Sequence, residues 1–224
     1  MIKPILFNTD MVRAIMDGRK TVTRRVVHNG KSYPQYHRKD KFYRVVDHLN
    51  NDDKNWYAGF YNDNDVFTDS DGNEQIDAIY FKAPYKPGDI LYVRETWQYL
   101  YELDGNEQIV EGTGKYYYAA TDTLPFDTYV DSAGVTHEGV PWRPSIHMPK
   151  EAARIWLKVK NVRVERLQEI DDEGVISEGL EIGAPFDELW DFTIKKSDLD
   201  RYGWEANPWV WVIEFERCEK PEEE

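Results

Sequence analysis

RIWLKVKNVRVER, residues 154–166, alternates apolar and polar side chains over most of its length. A period of two puts successive side chains on opposite faces, so this stretch is predicted to be a β-strand with one face buried. Downstream, Trp209-Val210-Trp211-Val212-Ile213-Glu214-Phe215-Glu216 is an apolar run of strand length, which implies burial on both faces for part of its course. Upstream, Ile90-Leu91-Tyr92-Val93-Arg94-Glu95-Thr96-Trp97 follows the turn Lys86-Pro87-Gly88-Asp89. Thr21-Val22-Thr23-Arg24-Arg25-Val26-Val27 is rich in β-branched residues and reads as a fourth strand.

Few helices interrupt these strands. Asn8-Thr9-Asp10 supplies N-cap residues, Met11, Ala14 and Ile15 follow at helical spacing, and Gly18 stands where a helix ends, which predicts a helix over 10–17. Asp171 and Asp172 suit a first turn and Gly179 an end, giving a second short helix over 169–177. A third is expected over 186–200. Two polar insertions, 28–85 and 101–141, carry further short strands, at 41–47, 56–61, 76–82 and around Tyr116-Tyr117-Tyr118. Each insertion also holds one copy of the hexamer DGNEQI, at 71–76 and 104–109, whose Asp-Gly pair suits a hairpin turn. Nothing flanking the copies matches, so they are reused turns and not a repeat. The expectation is an α+β fold: one domain over 1–218, a small and mostly antiparallel barrel with two or three short helices, then an acidic tail over 219–224.

The chain has 224 residues, 41% of them hydrophobic, with 8 Trp, 15 Tyr and 9 Phe, enough to bury a core and exclude wholesale disorder. A single cysteine, Cys218, excludes a disulfide framework. No apolar run approaches the roughly 20 residues that span a bilayer, and no secretory leader is visible, so a cytoplasmic location is expected. The net charge is −14. Residues 1–50 hold 11 Lys/Arg against 4 Asp/Glu, a local +7, and the remainder holds 17 against 38, or −21. A basic segment on an acidic body gives a directional field that suits a short strand or single nucleotide better than long nucleic acid.

Metal and cofactor chemistry find no foothold. Asp69-Ser70-Asp71-Gly72-Asn73 has its glycine fourth, where a calcium loop needs it sixth. The five histidines form no helical i,i+4 pair and have no cysteine partners. No glycine-rich nucleotide fingerprint and no nucleophile elbow is present. What is left is Asp17-Gly18-Arg19-Lys20-Thr21-Val22-Thr23-Arg24-Arg25. On a strand Thr21 and Thr23 share one face, and Lys20, at the helix–strand junction, is free to turn toward their hydroxyls. A lysine beside a hydroxyl in a partly buried pocket loses basicity and serves as a base. A plain basic surface strand is the other reading of the same residues.

Gly18 to Arg25, then Lys86 to Val93, then Glu178-Gly179-Leu180, then Val212 to Phe215, resemble in identity and order the segments of the ASCH domain, in the PUA-like superfamily. The likeness is closest to long phage- and prophage-type members and covers about half the chain. It implies a PUA-like barrel with a polar cleft that recognises a nucleotide or modified base, as RNA or free nucleoside, in the cytoplasm of a bacterial or phage-infected cell. A compact family member is an amidohydrolase of N4-acetylcytidine, and by motif position its Lys, Thr and Glu correspond to Lys20, Thr23 and Glu178. That makes deacylation the alternative, with Lys20 activating Thr23 or a water and Glu178 orienting Lys20. A phage accessory protein whose acidic body binds a host protein is the second alternative. Candidate ligand contacts are Arg19, Thr21 and Arg25, then Arg94 and Glu95 at a strand end, and Trp142, Ser145 and His147, a ring, a hydroxyl and an imidazole suited to an unstacked base.

Overall fold

The computed structural model describes residues 1–27, 44–46, 56–61, 66–76, 79–106, 108–130 and 133–222. In chain order the first elements are β1 (Ile2–Leu6), α1 (Thr9–Met16), β2 (Val22–Val26), β3 (Arg44–Val46) and β4 (Tyr57–Tyr61). Then come β5 (Val66–Thr68), β6 (Glu74–Ile76), β7 (Ile79–Lys82), β8 (Ile90–Arg94) and β9 (Trp97–Leu100). They are followed by β10 (Lys115–Tyr118), β11 (Thr128–Val130), β12 (Thr136–Glu138) and β13 (Trp156–Arg166). The last are α2 (Asp172–Ser177), α3 (Phe186–Thr193), α4 (Leu199–Tyr202) and β14 (Trp209–Cys218). The fold is mixed α+β and strand-rich. β1 pairs with β8, while β13, β14 and β2 lie side by side in that order, and among the described residues no sheet closes into a barrel. Most pairings are antiparallel as expected, but β1 and β8 run parallel, from Ile2 opposite Ile90 to Leu6 opposite Arg94.

Contacts divide the chain into two compact units. The first comprises Met1–Gly18, Ile90–Leu157 and Arg217–Glu224. Here Asn8 caps α1 by accepting from the Met11 amide at 2.9 Å, and α1 buries Val12, Ala14 and Ile15. Gly18, at φ 77°, ends it in the left-handed region that glycine tolerates. Trp97, Met148, Ala152, Ala153 and Trp156 form a core cluster with Tyr92, Tyr99, Tyr116 and Tyr118 against it. Burial pushes the Tyr118 hydroxyl up to about 12, and it donates to the Ala152 carbonyl at 2.7 Å.

The second unit comprises Arg19–Asp89 and Lys158–Glu216. β2 and β14 pair antiparallel, from Val22 opposite Glu214 to Val26 opposite Val210. Leu167, Trp190, Val210 and Val212 pack together, with Phe186 and Trp204 alongside; each such side chain contributes about 1.5–3 kcal/mol on full burial. The insertion at 28–85 is built into this unit where it is described. Phe60 on β4 is 1% exposed and meets Trp209 edge-on at 5.5 Å, and the Trp56 indole donates to the Val162 carbonyl at 3.2 Å. The strand expected at 41–47 is described only over 44–46, and that at 76–82 only outside 77–78.

The helix expected over 186–200 is broken. Ile194 leaves α3 in an extended conformation, φ −95° and ψ 140°, and the chain resumes as one 3-10 turn and then α4. The break lets the chain fold back on α3: the Trp190 indole donates to the Tyr202 carbonyl at 2.7 Å, and the Trp204 amide to Asp191 at 2.6 Å. Tertiary contacts of two tryptophans outweigh continuation through the β-branched pair Thr193-Ile194.

Candidate functional site

Lys20 lies just before β2, and Glu178 is the residue that ends α2. Their backbones form an isolated antiparallel bridge. The Thr21 amide donates to the Ser177 carbonyl at 2.9 Å, and the Phe215 amide to the Thr21 carbonyl at 2.9 Å, so residues 20–21 are clamped between α2 and β14. Gly179, at φ 92°, turns the chain away directly after Glu178.

The clamp brings two charges together out of water. Lys20 is 2% exposed and Glu178 8%. Lys20 Nζ donates to Glu178 Oε2 at 2.5 Å, to the Val22 carbonyl at 2.8 Å and to the Glu178 carbonyl at 3.0 Å. Three ammonium protons thus meet three acceptors. Burial pulls the Lys20 pKa below its usual 10.5; Glu178 opposes the shift, and Arg25 and Arg24 reinforce it.

From Glu178 the ion pairs continue as an alternating series. Arg24 Nη1 donates to Glu178 Oε1 at 3.3 Å, and Arg24 Nη2 to Glu165 Oε2 at 3.5 Å. Arg163 bridges Glu165 and Glu214 by short contacts from Nε and Nη1. The order Lys20–Glu178–Arg24–Glu165–Arg163–Glu214 places each charge beside its opposite, running from fully buried to about one-third exposed.

A cavity of about 600 Å³ opens against this series. Thr21, Arg24 and Ser177 line it, together with six carboxylates (Glu165, Glu169, Asp171, Glu173, Glu214 and Glu216) and the cations Lys160 and Arg163. Gly174 also borders it: a Cβ there would meet Arg24 Nη2 at 3.1 Å. Arg24 Nε is buried and has no partner among the described residues.

Of the predicted site residues, the structure joins Lys20 to Glu178. Thr23 is 1% exposed, and no hydrogen bond from its hydroxyl reaches that pair among the described residues. Neither it nor the pair lines the cavity, although their neighbours Thr21, Val22, Arg24 and Ser177 do. Thr21 and Thr23 do not share a face: Thr21 is exposed and lines the cavity, because regular pairing of β2 begins only at Val22. Arg19 Nη1 donates to the Gly179 carbonyl at 2.5 Å. Arg25 is half-buried; burial lowers its pKa, which Glu178 and Tyr85 hold up. Arg24, which the reading of a plain basic surface strand would expose, is buried and ion-paired instead.

Arg94, Glu95, Trp142, Ser145 and His147 belong to the first unit. Arg94 Nε donates to the Met148 carbonyl at 2.8 Å and its Nη2 to the Ile146 carbonyl, which pins the irregular segment. Glu95, 1% exposed, takes a bidentate pair from Arg154 at 2.9 Å in both arms. Arg154 also lies 3.9 Å over the Tyr118 ring. Trp142 and Ser145 are half-buried and His147 is exposed.

Sequence reasoning missed Glu165 as a site member, and its signal was present: on β13 it stands two positions from Arg163 and so shares its face. Among the described residues no group of His, Cys, Asp and Glu could hold a metal ion, and no helix is long and apolar enough to cross a membrane. No protein-family model matches the chain, and no curated protein and no solved structure is significantly similar to it.

Proposed function

We propose that the protein recognises a nucleoside or modified base in the polar cavity beside Arg24, on a PUA-like framework of the kind the sequence resembles. The carrying observation is a polar cavity of about 600 Å³ lined by Arg24, whose guanidinium is held in place by Glu178 and Glu165. That volume lies within the roughly 300–1,000 Å³ of small-molecule sites. Arg24 offers a cationic donor to a ligand acceptor in the cavity that it lines. A base edge offers such an acceptor beside exocyclic amines, and carboxylates accept from those amines. Six carboxylates against three cations disfavour a phosphate chain, so a nucleoside fits better than a nucleotide. Calorimetric titration with cytidine, N4-acetylcytidine and cytidine monophosphate tests the reading. The nucleosides should bind more tightly than the monophosphate, and Arg24→Lys should weaken them at least about tenfold. A protein that binds none of the three refutes it.

The lowered pKa of Lys20 favours a second reading, deacylation of an N4-acylated cytidine. A base must first lose a proton, and Lys20 holds all three of its protons on acceptors, so this reading requires Lys20 to release one of those bonds. Acetate release from N4-acetylcytidine by the wild type, abolished in Lys20→Ala, would establish it; no release from wild type would dismiss it.

A further inference from the structure

Helix α3 is apolar on two faces. Phe186 and Trp190, four positions apart, pack into the core of the second unit. Leu189 and Phe192, three apart, point away: Leu189 is 43% exposed and Phe192 89%. Ile182, in the turn leading into the helix, is 71% exposed. An exposed apolar patch rimmed by polar residues marks an interaction site, and a Leu/Phe pair at i,i+3 matches the anchor spacing of helix-in-groove recognition.

The surroundings select the partner. Residues 180–198 contain Glu181, Asp187, Glu188, Asp191 and Asp198 against Lys195 and Lys196 just past the helix, a local net of −3. An anionic lipid surface or a nucleic acid is repelled by this rim. A second copy of the chain, at net −14 and presenting the same acidic helix, is repelled as well. A protein surface with apolar side chains flanked by lysine or arginine is complementary in both respects. We propose that the exposed face of α3 docks a basic, amphipathic segment of a partner protein, with Phe192 and Leu189 as anchors and Asp187 and Glu188 pairing its cations. This surface is separate from the cavity beside Arg24 and does not depend on what that cavity binds.

A helical leucine/lysine peptide of about 14 residues serves as the probe, followed by calorimetry at low and moderate salt. Phe192→Ser with Leu189→Ser should weaken binding at least about tenfold, as loss of central anchors does. Added salt should weaken it too, and a leucine/glutamate peptide of the same pattern should not bind. Both substituted side chains are exposed, so the variant should keep the wild-type melting curve. Equal binding of the two peptides, or binding untouched by the double substitution, overturns the proposal. So does concentration-dependent dimerisation through this face, or its adsorption to anionic phosphatidylserine vesicles, without peptide binding.

Discussion

Glu178 accepts from Lys20 at 2.5 Å while Arg24 donates to its other oxygen at 3.3 Å, so one carboxylate answers two cations in a setting almost closed to water. Removing Glu178 leaves the buried Lys20 ammonium without a carboxylate, whereas removing Lys20 leaves Glu178 still paired with Arg24. Glu178→Gln should therefore cost about 3–5 kcal/mol of unfolding free energy and Lys20→Met less, with the double substitution markedly below their sum. A urea double-mutant cycle measures this; additive losses would mean that the pair is not coupled.

The lowered pKa of Lys20 also sets a pH dependence. The folded chain releases this proton at lower pH than the unfolded chain, whose lysine titrates near 10.5. Between the two values the unfolded state holds more protons, so stability rises with pH across that window. The cost of burying the charged form is full below the folded pKa and gone above 10.5. The stability gap between wild type and Lys20→Met should therefore shift in favour of wild type as pH approaches 10.5. Parallel pH profiles for the two proteins would contradict the shift.

Gly174→Ala sets two effects against each other. Alanine gains about 1 kcal/mol of helix propensity over glycine. Its Cβ would lie 2.8 Å from Ile170 Cγ1, 3.1 Å from Arg24 Nη2 and 3.2 Å from Asp171 Oδ1. Arg24 is held by two carboxylates and Asp171 by its cap to the Gly174 amide, so neither gives way freely. Overpacking of about 1–3 kcal/mol should win, with a net loss of about 1 kcal/mol by urea denaturation and weaker nucleoside binding. A stabilised variant would show that the Arg24 side chain is loosely held.

Glu95→Gln removes one charge of the bidentate pair and leaves Arg154, among the described residues, with Thr121 and the Tyr118 ring. Breaking this largely buried pair should cost about 3–5 kcal/mol in thermal or urea unfolding. Because Glu95 is satisfied within its own unit, nucleoside affinity of the folded variant should be unchanged. An affinity loss without a stability loss would instead make Glu95 a ligand contact.

The elements with a strong period were legible in the sequence. The strands at 154–166 and 209–216 and the helix at 10–17 occur with ends shifted by a few residues, while the strand at 90–97 stops at Arg94 and Trp97 starts another. What depended on partners far along the chain was not. DGNEQI shows why. At 71–76, Gly72 takes φ 83°, and the carboxylate that caps the turn is Asp69, from outside the hexamer, accepting from the Asp71 and Asn73 amides. At 104–109 the hexamer's own Asp104 accepts from the Asn106 and Gln108 amides, and Gly105 is not in the left-handed region. Six identical residues fold as two different turns because their flanks differ. Arg24 was illegible for the same reason: one of two adjacent arginines in a basic strand reads as surface until Glu165 and Glu178, more than a hundred positions away, are placed beside it.

Lys20 and Glu178 are 158 residues apart, and β2 pairs with a strand that begins at Trp209. At about 5–20 residues per second of synthesis, Lys20 waits on the order of ten seconds for its counter-ion. During that interval β2 is an unpaired, β-prone edge on a nascent chain, open to pairing with other chains. Lys20, Arg24 and Arg25 then act as like-charged gatekeepers that keep the segment apart from its copies. The cations that build the buried network in the finished protein thus protect the same strand before its partner is made.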